Sequence, residues 1–186
     1  MKTTATRYRP PAAPDAPPPA GPADVPARPR GRLDWLQLLG WLRDDGLVGE
    51  DDAQRVIRRF GGGASSLHAL VRLGGAGLQH QGRALDCEAL TEWLAQRVQL
   101  PYLRIDPLKV DVGRVAEVMS LQYAEMRKVL PVNVGPEQVT IATSEPFDTA
   151  WVAEIESHSR RRVKLVLANP EDVARYTSEF YNLARS

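Results

Sequence analysis

Arg160-Arg161-Arg162 is the sharpest charge run in the part of the chain able to fold. Such a run can bind an acidic partner or an anionic lipid surface. At a membrane each basic residue contributes ~1 kcal/mol, so three give weak attachment unless a protein helps. The alternative is charge balance at a helix C-terminus plus solvated side chains. The densest glycine cluster, Gly61-Gly62-Gly63, is followed by Ala64-Ser65-Ser66 without a lysine. A phosphate cradle of the Gly-x-x-x-x-Gly-Lys-Ser/Thr type needs a lysine for the terminal phosphates and a hydroxyl for magnesium. That pattern occurs nowhere, so these residues are not expected to hydrolyse ATP by a P-loop mechanism. No Ser/His/Asp order or paired-carboxylate motif stands out. Cys87 is the sole cysteine, which excludes an intrachain disulfide. Its neighbours Asp86 and Glu88 would raise a thiol pKa, which argues for a structural role. His68, His80 and His158 are scattered without metal-ligand spacing, so no zinc site is expected.

These residues are carried on 186 positions, enough for one ordinary domain or two small ones. Net charge is +1, which argues against a dedicated nucleic-acid binder. No apolar run approaches the ~20 residues of a spanning helix, and the N-terminus lacks a secretory h-region. A soluble, cytosolic protein is expected. Residues 1–31 hold nine of the fifteen prolines. Proline fixes φ and removes a donor, so this segment reads as a disordered, locally polyproline II arm.

From Leu33 the pattern turns helical. Trp35, Leu38, Leu39 and Leu42 form one stripe, with Asp34 as cap and Gly46 as the left-handed end. A second helix has Glu50, Asp51 and Asp52 in its first turn and Arg55, Arg58 and Arg59 towards its end, which complements the dipole. Its buried face is expected at Ala53, Val56, Ile57 and Phe60. A short helix is expected over Ser66 to Leu73 with Leu67, Leu70 and Val71 inward, and a loop over Gly74 to Gly82. Asp86 caps a further helix carrying Leu90, Trp93, Leu94 and Val98, ended by Leu100-Pro101. Residues 32–100 therefore read as a helical subdomain.

Residues 101–186 mix periods. Helices are expected from Val112 to Ser120 and Leu121 to Met126. Strands are expected at Lys128–Val134 and Gln138–Thr143, joined by Gly135-Pro136-Glu137, with Val139 and Ile141 inward. A helix from Asp148 to Ser159 leads to a strand at Val163–Leu167. Asn169, Pro170, Glu171 and Asp172 then start a last helix with Val173, Tyr176 and Phe180 as its stripe. The fold class is α+β: a small N-terminal helical subdomain followed by a three-stranded sheet with packed helices.

The runs Leu100-Pro101-Tyr102-Leu103-Arg104-Ile105-Asp106-Pro107-Leu108-Lys109, Val129-Leu130-Pro131-Val132, Ile141 to Asp148 and Phe180 to Ser186 add family information. Their order and spacing resemble the N-terminal region of the type II secretion ATPase, the E component, and of its type IV pilus assembly relatives. The resemblance covers roughly Trp35 to Ser186 and is firmest from Leu85 onward. It implies a non-catalytic module of a hexameric cytoplasmic ATPase. The implied partner is the cytoplasmic domain of the inner-membrane secretion L component, giving peripheral association at the inner membrane of a Gram-negative bacterium. ATP and magnesium are then expected only in a motor region outside these residues, with no cofactor here.

Some relatives bind cyclic di-GMP through a repeated motif resembling Arg-Leu-Gly-x-x-Leu-x-x-x-Gly-Leu-Ile. The resemblance places Leu39, Gly40, Gly46, Leu47 and Val48 in the first copy, with Leu38 at the arginine position. Arg72, Leu73 and Gly74 open the second copy, after which Gly75-Ala76-Gly77-Leu78 departs from it. The alternative is that these Leu and Gly positions serve helix packing and helix ending.

Overall fold

The computed structural model describes residues 30–63 and 65–185. The expectation of a disordered arm over 1–31 falls almost wholly outside them. The first helices follow their local signals. Helix α1 (Trp35–Asp44) starts where the Asp34 carboxylate accepts the Leu36 N–H, and it buries Leu38, Leu39 and Leu42. Gly46, at φ +73°, turns the chain into α2 (Glu50–Phe60), and Gly61 at φ +64° ends that helix. In α2, Ala53 and Val56 are fully buried, whereas Ile57 and Phe60 stay half-buried.

Two expectations in the next segment are corrected. The short helix α3 is Ala69–Gly74, not Ser66–Leu73, because the His68 imidazole takes the N-cap and accepts the Leu70 N–H. Its inward residues are Ala69, Leu70 and Leu73; Leu67 lies before the helix and is exposed. The Gly74–Gly82 stretch is not all loop. It contains β1 (Gln79–His80), which pairs antiparallel with β2 (Arg83–Ala84). Gln81 and Gly82 both have positive φ, as a tight two-residue turn requires. Helix α4 (Cys87–Val98) begins at Asp86, whose carboxylate accepts the Ala89 N–H at 2.8 Å. It ends in a left-handed Gln99 before Pro101 is reached.

A 3₁₀ turn, Pro107–Lys109, precedes α5 (Val112–Val118) and α6 (Leu121–Arg127). The sheet follows as β3 (Val129–Val134), β4 (Gln138–Thr143) and β5 (Arg162–Leu167), in that spatial order. β3 and β4 are antiparallel; β4 and β5 are parallel, joined through α7 (Val152–Ser159). The α7 helix starts four residues later than expected. Asp148 does not cap it, because the Trp151 indole N–H and the Thr149 carbonyl organise a turn first. Helix α8 (Pro170–Ala184) is capped by Asn169, with Val173, Thr177, Phe180 and Tyr181 buried.

An open sheet edge is an aggregation template, so its covering matters. On the outer edge of β5, the Val163 N–H donates to the Glu156 carboxylate. At the far end, Leu167 and the segment 101–103 exchange hydrogen bonds of 2.8 and 2.9 Å. At the other edge, β3 carries Pro131, a residue that sheets tolerate at edges.

Two apolar clusters result. One joins Leu38, Leu39, Leu42, Leu70, Leu73, Leu90 and Leu94; the other joins Val139, Ile141, Trp151, Ile155 and Phe180. Leu167 of β5 packs in the helical cluster, so the two are contiguous. Among the described residues no helix is long and apolar enough to cross a membrane.

Two helical glycines test this packing in opposite directions. A Cβ on Gly74 would lie 2.6 Å from the Cys87 backbone nitrogen, whereas one on Gly40 would meet open space. Gly74→Ala should therefore destabilise by about 1–3 kcal/mol through overpacking. Gly40→Ala should stabilise by about 0.5–1 kcal/mol through helix propensity. Urea unfolding of the two variants reads both signs.

Candidate functional site

The motif positions of the helical part divide by burial. Leu39 and Leu73 are completely buried and hold the core. Gly40 is half-buried on α1, Gly46 is an exposed left-handed turn residue and Leu47 is half-buried. Gly74 lies against the backbone of Asp86 and Cys87. Arg72 is half-buried, and its guanidinium carbon lies 4.5 Å from the Phe60 ring centroid and 5.2 Å from that of Trp35. One of its nitrogens donates to the Phe60 carbonyl at 3.1 Å. Trp35 and Phe60 themselves meet edge-to-face at 5.0 Å. Arg72 of α3 thus ties α1 to α2, a cation–π arrangement worth about 0.5–2 kcal/mol. The structure brings Leu39 and Leu73 into one core but engages Arg72 with aromatic rings.

The arginine run does not present three equally exposed side chains. Arg160 is exposed and left-handed, at φ +54°. Arg161 turns back, and its Nε donates to the Gly135 carbonyl at 2.7 Å. Arg162 is exposed on β5, and the next exposed cation is Lys164, two residues on. Lys164 was not singled out in the sequence, although its alternation with Val163 and Leu165 was the signal for it.

Two polar joints, one buried and one half-buried, link the clusters through residues distant in sequence. In the first, the Leu33 N–H donates to Glu145 Oε2 at 2.8 Å, and His68 Nε2 lies 3.0 Å from Glu145 Oε1. His68 Nε2 also lies 3.0 Å from the Ser144 carbonyl. Because His68 Nδ1 accepts the Leu70 N–H, the proton of the neutral ring sits on Nε2. Both ring nitrogens are therefore in structural use. In the second joint, Glu88 accepts from the Tyr102 hydroxyl and from the Asn169 amide. Asn169 also caps α8 and accepts from the Cys87 thiol at 3.3 Å.

Two clefts open on the surface, the first of them beside Glu88 and Asn169. One of about 570 Å³ is lined by Asp86, Glu88, Glu171, Asp172 and Arg175. Among the described residues no group of three or more His, Cys, Asp or Glu could hold a metal ion. The other, about 740 Å³, lies between Trp41, Arg97, Phe147 and Leu165. Arg97 lies over the Trp41 ring at 4.8 Å and is paired with Asp45. Hydrogen bonds from Trp93 and Arg97 hold the Asp45 carboxyl below its usual range.

Residues 98–186 match the MshEN domain family. Over 108 residues the chain is 40% identical to the type IV pilus assembly ATPase TfpB of Acinetobacter baylyi. That match covers 58% of this chain and 18% of the relative, so the chain spans less than a fifth of that protein. A solved structure of MshE with cdg has a TM-score of 0.56 at 19% identity, covering 81% of this chain and all of that one. The N-terminal domain of XpsE has a TM-score of 0.50 at 15% identity, covering 80% of this chain and 96% of that one. At those identities the two structures establish the shared α+β fold.

Two buried acids of this region, Cys87 and Tyr181, and the half-buried Tyr102 respond to alkali. Burial, followed by the charge of Glu171, pushes the Cys87 thiol up to about 12. Burial also pushes the Tyr181 phenol up to about 12, and burial together with the Glu88 hydrogen bond raises Tyr102. Their neutral forms fit the fold. Their stabilisation is complete below the ordinary thiol and phenol values of 9.0 and 10.0 and fades as pH rises towards the folded ones. The urea midpoint should fall steadily above about pH 9. In Cys87→Ala that fall should start at higher pH, and an unchanged profile would contradict the assignment to the thiol.

Proposed function

We propose, from the match of residues 98–186 to the MshEN domain family, that the chain is a non-catalytic docking and regulatory module of a secretion or pilus-assembly ATPase. The carrying observation is the 40% identity to a pilus assembly ATPase over 108 residues. The parent protein on this reading is a hexameric ATPase, with ATP and magnesium held in its motor region. The module tethers that motor to the cytoplasmic domain of the inner-membrane secretion L component. Its place is then the cytoplasmic face of the inner membrane, and it binds no nucleic acid. A body fixed by polar joints supports a docking role, since a rigid surface loses little freedom on binding.

A second reading is cyclic di-GMP binding at Leu39, Gly40, Gly46, Leu47, Arg72, Leu73 and Gly74. What favours it is the shared fold with MshE, which was solved with cdg. What opposes it is the burial of Leu39 and Leu73 and the capture of Arg72 by Trp35 and Phe60.

Calorimetry separates the readings. The chain should bind the L component's cytoplasmic domain with a dissociation constant in the micromolar range or tighter, as ~8 kcal/mol of association implies. Cyclic di-GMP should give no heat and no thermal shift. A saturable nucleotide-induced rise in melting temperature would transfer the argument to the second reading.

A further inference from the structure

The exposed face of the sheet carries cations. Arg160, Arg162 and Lys164 are all exposed. Among the described residues none of the three makes an ion pair, whereas Arg43, Arg55, Arg97 and Arg175 each have a carboxylate. Their cross-strand neighbours are uncharged. Arg162 stands opposite Gln138, Lys164 opposite Thr140, and Thr140 opposite Asn133. Side chains at such positions share one face of a sheet. That face is therefore a row of amides and a hydroxyl with cations along one side.

The cations are also held in place. The Arg162 N–H donates to the Glu137 carbonyl at 2.8 Å, and Arg161 is tied to Gly135. The backbone edge of β5 is shielded at Val163 by Glu156 and at Leu167 by Pro101 and Leu103. The edge is thus shielded at both ends of the strand, and its exposed side-chain face is available.

We propose that the face formed by Arg162 and Lys164 of β5, with Arg160 beside it and Gln138, Thr140 and Asn133 alongside, docks an acidic surface of a protein partner. This inference rests on the docking reading above and names the face and the chemistry it recognises. A protein fits better than a membrane for two reasons. Among the described residues the exposed large apolar ones are Leu36, Leu67, Leu108, Met126 and Leu183, and none lies on β3, β4 or β5 to enter a bilayer. The amide and hydroxyl neighbours suit hydrogen bonding to a protein surface, which a few cations on a lipid layer do not require.

The test measures affinity for the L component's cytoplasmic domain at two salt concentrations. It compares the wild type, Arg162→Glu/Lys164→Glu, Arg162→Gln/Lys164→Gln, and a control of equal charge change, Arg58→Glu/Arg83→Glu. Circular dichroism confirms that each variant folds. The reversal should weaken binding at least tenfold, the glutamine pair should fall between, and the control should stay within twofold. Salt should weaken wild-type binding more than that of the glutamine pair. Equal binding by wild type and both β5 variants would overturn the face assignment while leaving docking intact. No wild-type binding would remove docking and this face together. Co-sedimentation with phosphatidylglycerol vesicles that is lost in the reversal, with partner binding unchanged, would assign the face to lipid and overturn the proposal.

Discussion

Glu145 is a carboxylate buried between two apolar clusters, and the placement of one cluster on the other depends on it. Its oxygens take the Leu33 backbone and face His68, both from the helical side, while its own N–H is held by Thr143 Oγ1 on the sheet side. A buried carboxylate is costly unless its lone pairs are filled. Here the donors arrive only when the starts of α1 and α3 lie against the end of β4. The half-buried Glu88 makes a second polar link, gathering Tyr102 and Asn169 onto the first turn of α4. Apolar contacts such as that of Leu167 bring the clusters together but set no angle, because hydrophobic attraction is non-directional. The polar joints fix the angle.

That fixed arrangement decides what the surface can offer. The segment joining the two parts of the chain covers the end of β5, and the carboxylate of Glu156 guards its beginning. The β5 edge is thus shielded at both ends, while the polar face of the sheet stays open. The same economy governs the arginines. Arg161 and Arg72 look like free cations in the sequence, yet one supports a turn and the other sits against two aromatic rings. Arg162 and Lys164 keep their charge facing solvent.

Most elements could be read from local chemistry. Asp34, Asp86 and Asn169 all cap the helices they precede, and the alternation of Gln138–Thr143 gives β4 to the residue. Failures occurred where a distant group overrode the local signal. The start of α3 belongs to His68 because its ring is also held by Glu145 and Ser144, far along the chain. The start of α7 is delayed by a turn that buries Trp151 in the sheet cluster. Gln99, Lys128 and Arg160 adopt left-handed conformations without being glycine, so nothing in their type announced a helix end.

Periodicity, caps and turn residues act within a few positions, so the sequence by itself determined most of the helices, the strands of the three-stranded sheet and the α+β class, but not the β1–β2 hairpin. It also carried the resemblance, through short runs whose order survives in the chain. Which charges remain free was decided only by tertiary structure. A side chain's partner can lie 112 residues away, as Leu33 lies from Glu145. No local pattern encodes that meeting, because it exists only once both cores have packed.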